Sequence, residues 1–182
     1  MNRRTVVLAS LGGAAVAAAG LGFALRRSET SGMAMAAGTG EAGGTAIERL
    51  ELTEAEWRER LTPEQFYVLR EEGTERPYTS PLNDEKRAGM FHCAGCDLAL
   101  YPSETKYDSG TGWPSFWAPV SEEAVGTSTD FKLIYPRTEV HCARCGGHQG
   151  HVFDDGPQPT GKRHCINGVA LTFKPAEGAT TG

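Results

Sequence analysis

The pattern of apolar and polar positions changes period near residue 89, and the change divides the chain into a helical front and a stranded body. Thr53-Glu54-Ala55-Glu56 has Thr and Glu at capping-box spacing, which predicts a helix to about Arg60. Thr62-Pro63-Glu64-Gln65 repeats the signal with Pro at the first helical position. This second helix turns Phe66, Val68 and Leu69 inward, and Gly73 is placed to end it. Pro77, Pro81 and Asn83-Asp84 then predict a looped or extended arm over 74–86. From Gly89 onward, short apolar-rich runs lie between turn residues. They predict strands over 90–93, 98–101, 116–120, 127–135, 138–141, 150–153, 163–166 and 169–173. So many short strands point to a mainly β fold: two small antiparallel sheets packed together, with short N-terminal helices.

Residues 5–25 follow neither period. Thr5 to Leu25 carries no charge, is built largely from Ala, Gly, Val and Leu, and follows Arg3-Arg4. A basic start, an apolar run and the small residues Ala34-Met35-Ala36 match an export signal. The paired arginines point to the twin-arginine route. The expectation is a signal peptide or anchor over 1–36 and a flexible linker over 37–46, rich in Gly, Ala and Thr. The folded domain is expected over 47–175, followed by a disordered tail over 176–182. The protein is thus expected outside the cytoplasm, at the membrane only if the N-terminal segment is retained. The twin-arginine route carries folded proteins, so a metal site could fill while its thiols are still reduced. Free cysteines outside would tend to form disulfides.

Charge narrows the partners. The 182 residues carry a formal net charge of −5. Residues 1–36 hold four arginines against Glu29 alone, so the domain is more acidic still. A general nucleic-acid binder needs a basic face, and this chain lacks the charge for one.

The five cysteines divide unevenly. Cys93/Cys96 and Cys142/Cys145 are Cys-x-x-Cys pairs, each with glycine at or after its turn, separated by residues 97–141. Two such pairs make one closed four-thiolate site, expected to hold one structural zinc ion per chain, with iron the alternative for the same donors. Two vicinal redox disulfides are the competing reading. His92 and His141 each precede a ligand cysteine and are read as neighbours of the site. Cys165 is left over.

Three polar segments could serve Cys165. In a strand, Arg163, Cys165 and Asn167 share a face, with His164 and Ile166 opposite. A guanidinium beside the thiol would lower its pKa, and the Asn167 amide could bond substrate or sulfur. His148 and His151 are three apart and would face oppositely in a regular strand. Gly150 between them allows a bulge that brings both imidazoles to one pocket. Glycines flanking Trp113-Pro114 could present the indole as an apolar wall, with Phe116 and Trp117 read as core.

Together these segments resemble the B-type methionine-R-sulfoxide reductases. The matching residues are Leu61–Gln65, Gly73–Pro77, both Cys-x-x-Cys pairs, Thr105–Gly110 with Gly112–Phe116, Gly150–Gly156 and Arg163–Asn167. The resemblance implies a β-tent-like fold and reduction of the R epimer of methionine sulfoxide in oxidised proteins or peptides. It implies Cys165 as nucleophile, with His148, His151, Asn167 and Arg163 as catalytic partners. Trp113 and Phe153 are implied to contact substrate, and Cys93, Cys96, Cys142 and Cys145 to bind zinc. A common form of the family has a resolving cysteine where this chain has Thr111. The expected cycle therefore ends in a Cys165 sulfenic acid, restored by a thioredoxin-like protein or another external thiol. A monomer is expected. Two readings compete: a non-catalytic zinc-binding module, and a thiol–disulfide oxidoreductase working through a Cys-x-x-Cys pair.

Overall fold

A computed structural model describes residues 46–133 and 135–178. The expected signal, nearly all of the linker and the last residues of the tail lie outside these.

Both helices form where the capping pattern places them. In α1 (Glu54–Arg60) the Thr53 hydroxyl accepts from Glu56 N–H, and the Glu56 carboxylate accepts from Thr53 N–H at 2.7 Å. Thr62 and Gln65 make the same reciprocal pair at the start of α2 (Pro63–Glu71). The end of α2 differs from expectation. Glu72 takes the left-handed conformation at φ 54°, and Gly73 follows it. Glycine at 73 lets the Tyr67 ring lie close over the backbone, where a Cβ would come within 2.2 Å of it.

Nine strands follow among the described residues. The smaller sheet has the order β2-β1-β9, from β1 (Gly89–Cys93), β2 (Ala99–Pro102) and β9 (Leu171–Pro175). The larger sheet contains β3 (Lys106–Tyr107), β4 (Ser115–Phe116), β5 (Val125–Asp130), β6 (Arg137–Cys142), β7 (His148–Phe153) and β8 (Arg163–Ile166). Its order is β3-β4-β8-β7-β6-β5, and every pairing is antiparallel. Three strand expectations need correction. β3 was not anticipated, because two residues carry no readable period. The run expected over 116–120 ends at Phe116. The run over 127–135 stops at Asp130, and Phe131, Leu133 and Tyr135 stand exposed in the loop beyond it.

The core lies between the sheets. Phe116 of the larger sheet stacks on Tyr101 at 4.4 Å and meets Phe91 edge-on at 5.0 Å. All three are fully buried, and side chains of this size each contribute about 1.5–3 kcal/mol by leaving water. Trp117, expected in the core, is only half-buried. Trp57 and Leu69 of the helices pack near the turn of the first cysteine pair, each 3.6 Å from a Cβ position at Gly95. Arg60 donates to the Gly95 carbonyl at 2.6 Å and Arg70 to the Cys145 carbonyl at 2.9 Å. The helices thus cover both knuckles and satisfy carbonyls that the tight turns leave free. No helix among the described residues is long and apolar enough to cross a membrane.

Candidate active site and metal centre

The four paired cysteines converge. Cys93, Cys96, Cys142 and Cys145 are buried, and their sulfurs all lie within 4.8 Å of one another. Cys93 and Cys145 are 3.7 Å apart and Cys96 and Cys142 3.4 Å apart. All are free thiols. A tetrahedral ion with metal–sulfur bonds of about 2.3 Å has its ligands about 3.8 Å apart, so the donor set fits such an ion. The crowding polarises the thiols. Hydrogen bonding from its neighbours, Cys142 foremost, drives the Cys145 pKa down, while the same crowding drives Cys93 up. A cation among them would relieve that conflict. His92 instead contacts the Asp97 carbonyl at 2.9 Å, and neither it nor His141 joins the four sulfurs.

Cys165 lies elsewhere, on β8, and is half-buried. Antiparallel register places side chains from six strands in one row: Tyr107, Ser115, Cys165, His151, Glu139 and Ser128 are successive partners. Directly paired residues share a face, so this row lies on one side of the larger sheet. The other side faces the core. There His164 is buried, and its Nδ1 lies 3.2 Å from the Tyr101 hydroxyl. Burial lowers its pKa to about 4.

The two histidines meet as the glycine between them allows. The pairing of β6 with β7 shifts register between Val140 and His141, opposite Gly150 and His148. Gly150 has φ 156°, and a Cβ there would lie 2.1 Å from the Cys165 carbonyl oxygen. The bulge leaves the His148 and His151 rings 5.4 Å apart. Each ring has its own carboxylate. His148 Nδ1 is 2.7 Å from Glu139, and His151 Nε2 is 2.8 Å from Asp130. A carboxylate only accepts, so each contacted nitrogen carries the proton. His148 Nε2 is buried and has no partner. Burial lowers the His151 pKa, with Asp130 opposing. Hydrogen bonds from Lys132 N–H, His151 and Arg137 hold Asp130 well below the usual carboxylate range. Burial pushes Glu139 up, but bonds from Ser128 and His148 outweigh it and leave the net shift downward.

Two expectations about Cys165 are corrected. Burial raises its pKa, outweighing the lowering effects of Thr111 and Arg163. Arg163 makes two bonds of 2.8 Å to Asp155 and lies over the Phe153 ring at 4.4 Å. Asn167 does not continue the strand either. β8 ends at Ile166, and the Asn167 side chain is buried. It donates to the Gln149 carbonyl at 3.0 Å and accepts from Glu75 N–H at 3.0 Å. Asn167 therefore positions the backbone on either side of the site.

Trp113 is half-buried, and its Nε1 donates to the Glu75 carbonyl at 3.2 Å. Glu75 also accepts from Gly168 and Val169 N–H at 2.6 and 2.9 Å, tying the arm to the segment after Cys165. The Thr111 hydroxyl lies 3.9 Å from the Cys165 sulfur. A chain of hydroxyls runs on from it through Ser109 at 2.8 Å to Ser115 at 2.7 Å, and ends where Ser115 donates to the Trp113 carbonyl. Gln149 bridges the two sulfur regions, since its side-chain amide is 3.5 Å from the Cys93 sulfur and its carbonyl holds Asn167. Sequence reasoning passed over Glu75, Ser109, Ser115, Asp130, Glu139 and Gln149. The register row is the signal that finds Glu139 and Ser115, and it needs the strand order first.

Comparison with known proteins agrees on one family. Residues 61–175 match the model of the SelR domain. "Peptide methionine sulfoxide reductase MsrB" of Pseudomonas putida (strain W619) is 54% identical over 133 residues, which cover 73% of this chain and 100% of that protein. The protein of the same name from Agrobacterium fabrum (strain C58 / ATCC 33970) is 53% identical over 123 residues, 68% of this chain and 91% of the relative. "Methionine-R-sulfoxide reductase B2, mitochondrial" of Homo sapiens is 52% identical over 150 residues, covering 76% and 80% of the two chains.

Proposed function

The chain belongs to the SelR-domain family of MsrB-type methionine sulfoxide reductases, and on that premise we propose that it reduces the R epimer of methionine sulfoxide, in peptides and proteins, at Cys165. One observation carries the reading. The half-buried Cys165 thiol, apart from the four clustered sulfurs, stands in register with His151, whose ring lies 5.4 Å from that of His148, and each imidazole is held by a carboxylate.

The proton balance explains why such a pair is needed. Burial keeps Cys165 a thiol at rest, so it must lose a proton to attack. The sulfoxide oxygen must gain one to leave its sulfur. His151, opposite Cys165 and kept neutral by burial, takes the thiol proton. His148 acts as an imidazolium whose Nδ1–H is held by Glu139, and its unpartnered Nε2–H gives a proton to the oxygen. The thiolate sulfur bonds to the substrate sulfur, the protonated oxygen leaves that sulfur, and it then adds to the Cys165 sulfur as the S–S bond breaks with its electron pair going to methionine. The oxygen stays on Cys165 as a sulfenic acid. Cys165 sulfur gives up two electrons, the substrate sulfur gains them, and methionine departs. Trp113, steadied by its bond to Glu75, and Phe153, under Arg163, supply apolar walls for the substrate's methyl and chain. Arg163 and Asn167 hold the strand and turn that carry the thiol.

Thr111 stands 3.9 Å from the nucleophile where a common form of the family has a resolving cysteine. A hydroxyl forms no disulfide. An external thiol therefore condenses with the sulfenic acid, releases water and leaves a mixed disulfide, which a second thiol reduces. The reductant is a thioredoxin-like protein or a small thiol. The four clustered cysteines hold zinc, which supplies folding energy and offers no open position. Arg3-Arg4 and the apolar run to Leu25 support export by the twin-arginine route, with the enzyme acting as a monomer outside the cytoplasm.

The test uses the separated epimers of a methionine-sulfoxide peptide with the wild-type protein and Cys165→Ser. Reduction of the R epimer alone, lost in the variant, is expected. Reduction of the S epimer, or activity that survives the substitution, refutes the assignment.

A further inference from the structure

Tyr107 begins the row that runs through Cys165. It pairs with Ser115, and Ser115 pairs with Cys165, so all three side chains leave the sheet on the same face. Ser115, between them, is small and fully buried. The phenol thus rises two strands from the thiol on the same face, with only a small side chain between them in the row. The Tyr107 hydroxyl is buried and makes no hydrogen bond, not even to a sulfur. It shares its surroundings with the site, since charges on Arg163, Asp155 and Cys165 all act on it.

Its neighbours are already engaged. Ser115 donates to the Trp113 carbonyl, Ser109 joins Ser115 to Thr111, and Arg163 donates to Asp155. A buried donor without an acceptor is costly, and native proteins retain few of them. The acceptor that comes and goes at this face is oxygen. It arrives as the sulfoxide oxygen and remains on Cys165 after methionine leaves. We propose that the Tyr107 hydroxyl is a further catalytic group, donating a hydrogen bond to the oxygen that passes from methionine sulfoxide to Cys165. The proposal rests on the reductase reading above and adds to it a donor facing the histidines across the thiol.

The role predicts a selective defect. Tyr107→Phe keeps the ring and removes only an unsatisfied hydroxyl, so its thermal midpoint should equal or exceed that of the wild type. Single-turnover reduction of the R-sulfoxide peptide should slow roughly three- to tenfold, the range of one neutral hydrogen bond. Alkylation of Cys165 by iodoacetamide, which involves no oxygen on sulfur, should proceed at the wild-type rate. Unchanged sulfoxide reduction overturns the proposal, and so does an equal fall in both reactions, which would mark a general disturbance of the thiol. A wild-type protein that reduces neither epimer would refute the reductase reading itself, a result separate from any difference between the two proteins.

Discussion

Two sulfur environments lie on either side of Gln149, and they differ in almost every respect. At the knuckles, four buried sulfurs face one another within 4.8 Å, under two helices whose arginines hold the turn carbonyls. At β8, one half-buried sulfur stands beside the Thr111 hydroxyl and in register with His151. The first environment satisfies its donors internally and leaves nothing for a substrate. The second leaves polar atoms without partners, His148 Nε2 and the Tyr107 hydroxyl among them. On the proposed reading, the same element serves stability where its neighbours are like itself and chemistry where they are proton carriers. The five cysteines divide cleanly because a fifth sulfur cannot enter a closed tetrahedron.

The most forceful way to break the comparison is to open the knuckle. Cys142→Ser should abolish metal binding and cooperative folding. A four-cysteine zinc site contributes about 10–16 kcal/mol, as much as the whole stability of an ordinary domain. Metal content per chain and thermal unfolding check this, and a metal-free variant that melts like the wild type would remove the structural role. At the other sulfur, His148→Gln should slow single-turnover reduction by about 10²- to 10⁴-fold while the bound metal stays at one ion per chain. A loss of metal in that variant would mean the regions are not separable.

pH sharpens the contrast on the core side of β8. The His164 pKa falls to about 4 in the fold, from an ordinary value near 6.5. The unfolded chain therefore binds the proton first as pH drops. Stability is intact above about pH 6.5 and is lost progressively down to about pH 4, by roughly 3 kcal/mol. His151, lowered in the same direction, adds to this window. Urea unfolding from pH 7 to 4 should show the slope, and His164→Phe should flatten it. A slope unchanged in His164→Phe would assign the acid sensitivity elsewhere. The smallest effect lies at the helical front. Thr53→Ala removes the α1 cap and should cost about 1 kcal/mol, with neither metal content nor reduction rate changed.

What could be read from the chain was local, and what could not was set by register. The capping boxes of Thr53 and Thr62, the two cysteine knuckles and the strand Arg163–Ile166 are each written in neighbouring residues. The bulge at Gly150 was readable for the same reason, since glycine between two histidines marks a break in alternation. Glu139, Asp130 and Tyr107 lie far from Cys165 in sequence and reach its face through strand order alone. The rise in the Cys165 pKa escaped for a related reason. Arg163 sits beside it in sequence, but Asp155 and burial decide what that arginine can do. Asn167 looked like a ligand group until the turn after β8 made it a brace.

The central claim is that Cys165 works alone while the other four cysteines stay out of the redox cycle. Mass spectrometry of each cysteine after one turnover with R-sulfoxide peptide, in the presence of a sulfenic-acid trap and no thiol, tests it directly. The account predicts a trap adduct on Cys165 and a full complement of metal on Cys93, Cys96, Cys142 and Cys145. A disulfide between Cys165 and any of those four, with metal released, would contradict it.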